Sequence, residues 1–411
     1  MRITALLLAL PCVLTAQDHT ILKELVADAL LRNPEILAAQ KKYEAARQRP
    51  AQERALPDPM VSAGWTSAGN PLPGAGVGSN PVANAGVMAS QELPAPGKLR
   101  LRGEVAAKEA DVEMQQFRAV EFDVIARLKI AYFGLDHAWL MQDVLESNRE
   151  VLRSLLHVTE ARYSVGKGAQ ADVFKAQTQI TLIETRLVQF ERERHAREAE
   201  INSLLDRPGS AALPRPPEPH FEPLNFSAED LIEQARQRSP ELMRDQKRIE
   251  ASSLALNLAR KDYSPDVTLN AGYYNMGSMP SMYMFRADVR IPIHTARTRA
   301  EITERSQEMA GAKHAYEATS KTLEYQIRDE FLAAQTAQKL IDLYTKVLIP
   351  QARLTVESSL ASYQTGSTDF LSVLTNELAI TDYEMNYHEQ LHEFHTALVL
   401  LEQMSGAELI P

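Results

Sequence analysis

Two periodicities alternate along the chain. Val124, Leu128, Ala131, Leu135, Leu145, Leu152 and Leu155 recur at intervals that keep one face of a helix apolar. Elsewhere the period shortens to two. In 282–291, Tyr283, Phe285, Ala287, Val289 and Ile291 share one parity, and Arg286, Asp288 and Arg290 the other. In 83–93, Ala83, Ala85, Val87, Ala89 and Leu93 stand opposite Met88, Ser90 and Glu92. Side chains alternate across a strand, so both segments predict a sheet with one apolar and one polar face. The predicted order begins with a helix over 21–55, ended by Pro57-Asp58-Pro59, where proline removes donors and disfavours the α region before it. Strands at about 58–66 and 83–93 follow, flanking a Gly/Pro/Asn-rich loop, then helices over 98–162 and 171–206 separated by Gly166 and Gly168. The order then repeats: a helix over 228–262, strands at about 266–274 and 282–291, and helices over 297–362 and 369–405 separated by Gly366.

That repetition is written in residues as well as in pattern. Asn33-Pro34-Glu35 falls on Ser239-Pro240-Glu241, Leu93-Pro94 on Ile291-Pro292, Tyr163 to Gly166 on Tyr363 to Gly366, and Val173-Phe174 on Val373-Leu374. The matches are collinear, so the chain reads as two copies of one unit, 17–206 and 228–411, joined by a Pro-rich connector over 207–227. Residues 98–162 as one helix would span ~95–100 Å, and 21–55 placed end to end with 171–206 gives about the same length. The fold class is therefore mainly α with a small β part, too elongated for ordinary globular domains. Four strands per chain cannot close a barrel, whereas two copies supply eight and three supply twelve.

Composition narrows the function. The 411 residues carry a net charge of −10, which argues against nucleic acid as the main partner. Arg2 followed by the apolar run Ile3 to Leu10 and small residues to Ala16 reads as a secretory leader over 1–16. The single cysteine, Cys12, lies inside it, with lipid attachment there as the alternative to cleavage; a disulfide framework is excluded. No stretch is long and apolar enough for a membrane-spanning helix.

Three local patterns carry candidate chemistry. Gly166, Gly168 and Gly366 suit tight helix–helix turns, in which a positive φ is cheap for glycine. Met276, Met279, Met282 and Met284 offer thioethers to a soft metal, but they span a loop and alternating strand faces. His388-Glu389-Gln390-Leu391-His392, with His395 one turn on, matches the H-E-x-x-H spacing of zinc hydrolases. That supports a rival reading, a periplasmic zinc metallopeptidase with Glu389 as base. Against it, the repeat mate of that site, 188–192, carries no such residues in an equivalent long helix. A soluble coiled-coil scaffold or adaptor is the second rival, disfavoured by the paired amphipathic strands. Asp172 and Asp369 stand at helix starts, where a carboxylate stabilises the helix end.

Taken together, the duplicated helix–strand–strand–long helix–helix order, the two Pro-Glu openings and the two glycine turns resemble the outer-membrane efflux protein family, the TolC-like channels. The segments 91–106 and 165–177 look most like its heavy-metal-exporting branch. The resemblance implies a homotrimer with a twelve-stranded barrel in outer-membrane lipid, continued by a periplasmic α-helical barrel. It implies partners too: a periplasmic adaptor (membrane fusion protein) and an inner-membrane pump, with no cofactor of the chain's own. Val165, Gly166, Lys167 and Gly168, with Thr365, Gly366 and Ser367, would be the adaptor-docking tips. Asp369, Ser372 and Thr375 would stand nearest a tunnel constriction. Glu92, Arg286, Asp288 and Arg290 would line the barrel lumen, as solvated or mutually paired charges. The function implied is passive passage of heavy-metal cations or small toxic compounds.

Overall fold

The computed structural model describes residues 18–217 and 221–410, with side chains from 21 onward. The expected leader and Cys12 lie outside the described residues. The elements run α1 (Asp18–Arg32), α2 (Pro34–Ala46), α3 (Arg49–Arg54), β1 (Met60–Thr66), β2 (Asn84–Leu93), α4 (Lys98–Ser164) and α5 (Gln170–Leu204). After the connector come α6 (Ala228–Arg238), α7 (Pro240–Arg260), β3 (Asp266–Met276), β4 (Met279–Arg290), α8 (Thr295–Leu343), α9 (Ile349–Thr365) and α10 (Phe370–Ser405). Contacts divide the chain into two compact units. A helical unit comprises the described residues of 1–39, 118–240 and 320–411; a sheet-bearing unit comprises 40–117 and 241–319.

Three stretches expected as single helices are interrupted, each for a local reason. The expected 21–55 helix breaks at Asn33, because Pro34 has no N–H to continue the ladder and serves as the first residue of a new helix. Asn33 then caps α2: its Oδ1 accepts from the Glu35 amide at 2.8 Å and the Ile36 amide at 3.1 Å, while its Nδ2 donates to the Leu204 carbonyl at 2.9 Å. The expected 228–262 helix breaks at Ser239, again before proline. The expected 297–362 helix relaxes into a π-turn over Tyr344–Leu348, just ahead of Pro350, whose ring cannot donate to the Lys346 carbonyl.

Asn33 is 1% exposed. Asn33→Ala should therefore remove two cap bonds and orphan a buried carbonyl at once, costing about 2–3 kcal/mol. Thermal unfolding in detergent should show a clearly lowered midpoint, and an unchanged midpoint would count against the cap.

In the helical unit the core is a seam of large apolar side chains. Leu128, Leu135, Leu145 and Leu152 of α4, Ile201 of α5, and Phe370 and Phe394 of α10 are all under 2% exposed. The sheet-bearing unit holds one antiparallel sheet, ordered β1-β2-β3-β4. Its register places Val61, Ala63 and Trp65 of β1, Ala85, Val87 and Ala89 of β2, Leu269, Ala271 and Tyr273 of β3, and Tyr283, Phe285 and Ala287 of β4 on one face. Much of that apolar face is open: Trp65 is 58%, Tyr283 69% and Phe285 83% exposed. The opposite face carries Ser90, Glu92, Asn270, Arg286, Asp288 and Arg290. Met282 and Met284 share that face, correcting the expectation that the methionines alternate.

Candidate functional site

The two helix–helix turns of the helical unit are built alike, 200 residues apart. At the first, the Gly166 amide donates to Tyr163 O at 2.9 Å and the Lys167 amide to Arg162 O at 2.8 Å. At the second, the Gly366 amide donates to Tyr363 O at 3.0 Å and the Ser367 amide to Ser362 O at 2.8 Å. Each pair closes a helix C-terminus around a left-handed residue, Gly166 at φ 71° and Gly366 at φ 83°. Gly168 does not adopt a positive φ, so the expectation for it is corrected. Its role is close approach, since a Cβ there would stand 3.2 Å from the Tyr163 amide nitrogen.

Arg162 ties the two turns together. Its guanidinium lies 4.4 Å over the Tyr363 ring and donates to the Tyr363 carbonyl. Beneath, Tyr363, Phe370, Val373 and Leu374 pack with Leu152, Leu155 and Ala176 in a closed apolar cluster. Val165, Gly166, Lys167, Thr365, Gly366 and Ser367 remain exposed, and Gly168 is half-buried. The arrangement offers a rigid base under two small, accessible tips.

The start of α10 is capped by Asp369, whose carboxylate accepts from the Ser372 amide at 3.2 Å and from the Ser372 hydroxyl. Those two bonds hold its carboxyl below the usual carboxylate range. Thr375, on the next turn, donates to the Leu371 carbonyl at 2.8 Å. The start of α5 differs: its cap is Ala169, and Asp172 lies in the first turn instead of at the cap. Deeper, Glu377 is buried beside Asn148 Nδ2 at 3.3 Å, and burial pushes its carboxyl upward. No sequence motif marks Glu377, because its partner comes from another helix.

On the sheet, Arg286 and Asp288 form an ion pair at 3.0 Å, and Asn270 donates to Asp288 at 2.8 Å. These charges satisfy one another along the strand. Glu92 and Arg290 share their face.

The H-E-x-x-H residues belong to a different arrangement from the one the motif suggests. His388, Glu389 and His392 project from α10 toward His137 of α4, a residue without any signal in the sequence. Glu389 Oε2 lies 3.0 Å from His137 Nε2, and the His137 and His392 rings stack with centroids 4.9 Å apart. His395, the expected third imidazole, is turned away: its ring stacks on Phe133 at 4.6 Å and its Nδ1 lies 2.8 Å from the Leu391 carbonyl. Glu402 is tied to the buried Lys129 at 2.7 Å. Among the described residues, no three His, Cys, Asp or Glu side chains are placed to hold a metal ion. Burial, with His137 adding to it, lowers both His388 and His392 to about 4.

A family model for the outer membrane efflux protein matches the chain in two segments, 25–207 and 231–407. The chain belongs to the outer membrane efflux protein family. It is 23% identical over 416 residues to the outer membrane protein TolC of Vibrio cholerae, covering 94% of this chain and 90% of that relative. Among solved structures it is similar to the outer-membrane channel OprN, with a TM-score of 0.80, 20% identity and coverage of 94% and 90%. It is also similar to CusC, with a TM-score of 0.79, 18% identity and coverage of 94% and 92%. For this efflux protein, those likenesses establish the fold, with the four-stranded sheet and the long helices as its parts.

Proposed function

We propose that three copies of this chain form the outer-membrane exit duct of a tripartite efflux system. One observation carries the reading: a sheet whose open face is apolar and whose other face is polar, with β1 and β4 each paired on one side only. Such edges must find partners, and four strands cannot enclose a lumen. Three copies give the twelve strands of a barrel with lipid outside and water inside. The paired charges Arg286 and Asp288 keep that lumen wet without forming a filter. Purification from outer-membrane fractions in detergent, followed by mass measurement, tests the reading. A detergent-independent monomer would end it.

The tips are assigned to a periplasmic adaptor, and the driving force to an inner-membrane pump. Two features support this docking site: near-identical turns, and exposed small residues over a packed base. Gly166→Val combined with Gly366→Val forces β-branched side chains into left-handed backbone, at roughly 1–3 kcal/mol each. Trimer yield should stay close to wild type while export falls by about tenfold or more, read as survival of cells carrying the matched pump. Unchanged export would remove the tips from the interface.

The cargo we assign is heavy-metal cations or small toxic compounds, on the resemblance of 91–106 and 165–177 to the metal-exporting branch. Export assays with metal-specific and drug-specific pumps separate the two classes.

A further inference from the structure

The two ends of the sheet differ sharply in charge. Between β1 and β2, residues 67–83 include no Asp, Glu, Lys or Arg, and the β3–β4 turn at Gly277-Ser278 has none either. At the other end the helices attach. The ten residues beside each strand there (50–59, 94–103, 256–265 and 291–300) hold eight Lys or Arg against three Asp or Glu. This in a chain whose net charge is −10 is a local reversal of sign.

The fold gathers these four segments. Lys98 is buried and bridges Asp262 and Asp266 at 3.0 Å each, and Asp266 also accepts from the Ala95 amide at 2.8 Å. Gln91 Nε2 donates to Pro57 O at 2.8 Å. The Arg54 side chain runs where a Cβ on Gly103 would stand, and Lys261 Cε comes within 4.0 Å of one on Gly97. Arg54, Arg102, Arg260, Lys261, Arg297 and Arg299 are all exposed. Among the described residues none of the six has a carboxylate at ion-pair distance. Beside them Leu56, Tyr263, Ile291 and Ile293 are open, Ile293 at 74%.

Unpartnered cations next to exposed apolar side chains, continuous with an apolar sheet face, make the surface of a membrane interface. We propose that this end of the sheet binds the headgroups of anionic phospholipids, with phosphate oxygens on the arginines and acyl chains against Ile291 and Ile293. The uncharged loop end makes no such contact, so the two membrane leaflets are recognised differently. The proposal rests on the sheet spanning a membrane.

The full-length protein is reconstituted into phosphatidylglycerol and, separately, phosphatidylcholine vesicles, and lipid retained through detergent exchange is counted by native mass spectrometry. Phosphatidylglycerol should be retained preferentially. Arg54→Gln, Arg102→Gln, Lys261→Gln and Arg299→Gln together should cut that preference about tenfold or more, since each cation near an anionic surface contributes to the attraction. Lys41→Gln with Lys42→Gln, on exposed α2, should leave it unchanged. In the wild type, ~0.5 M NaCl should weaken the preference, whereas millimolar inorganic phosphate should not displace the lipid. Equal retention of both lipids, a preference insensitive to salt, or displacement by free phosphate would overturn the proposal. So would a folded quadruple variant with wild-type preference; if that variant does not fold, the salt and phosphate results decide. Entry into neither vesicle would instead overturn the membrane-spanning reading, and this proposal with it.

Discussion

Gly86→Val is expected to abolish the assembled protein. Gly86 lies in β2, in register with Gly64 of β1 and Tyr274 of β3. A Cβ on Gly86 would run into the Tyr273 carbonyl oxygen and stand 2.6 Å from Tyr274 Cδ1 and 2.8 Å from Tyr274 Cα. Two of those three atoms are backbone of the neighbouring strand, so rotating a side chain away gives no relief. β2 must separate from β3, and that pairing joins the first half of the sheet to the second. The penalty exceeds the ~1–3 kcal/mol of ordinary overpacking because ladder hydrogen bonds are lost as well. The Tyr274 ring also fills the space a Cβ on Gly272 would take, at 2.7 Å. One tyrosine thus lies over two glycines, covering backbone that would otherwise be bare. Gly64 is the control, since a Cβ there meets nothing within 4 Å. Immunoblots of unheated and heated outer-membrane fractions should show an assembled band for Gly64→Val and none for Gly86→Val. Assembled Gly86→Val at wild-type level would refute the packing account.

Acidification should produce the second large effect, a loss of stability in the helical unit as pH falls from about 6.5 toward 4. His388 and His392 are half-buried and held at about 4, against an ordinary 6.5. In the unfolded chain both take up protons as soon as pH drops below 6.5. In the folded chain they resist until about pH 4. At these two positions the unfolded state therefore binds more protons across that window, and their contribution to stability declines throughout it; the buried Glu377 and Glu402, raised by burial, act in the opposite direction. Glu389, lowered by its contact with His137, acts in the same direction as the histidines: its share is lost as pH drops through its folded value. Burial sets most of the effect, and the facing groups adjust it. His137 and Arg197 oppose protonation of His392, while Glu389 favours it; Asp143 favours protonation of His388. Each histidine shift corresponds to about 3 kcal/mol, so the two together contribute on the order of 6 kcal/mol. Unfolding midpoints in detergent should fall steeply between about pH 6.5 and about pH 4.5. His388→Gln with His392→Gln should flatten that slope while leaving the neutral-pH fold intact. A flat wild-type profile would show that the cluster carries no such linkage.

Much of the helical and strand order was legible because each pattern answers to a local rule. Period 2 in 282–291 follows from alternation across a pleat, and the turn at Gly366 from the need for positive φ. Breaks at Asn33 and Ser239 were equally local, since each precedes proline. The long apolar periodicity around them hid those breaks. The tips could be named from sequence, but Arg162, which fastens one to the other across 201 positions, could not. His388, Glu389 and His392 could be named as well, and the spacing pointed to zinc. Spacing records only that three side chains share a helix face. Whether that face meets an open site or the ring of His137 depends on which helix packs against it.

The sequence by itself therefore determined the elements, the two faces of the sheet and the turns, because these depend on neighbours within a few residues. Only the tertiary structure decided which distant residues share one environment: His137 with Glu389, Tyr274 over Gly86 and Gly272, Lys98 between Asp262 and Asp266. Those pairings are set by register and helix packing, and no local period encodes them.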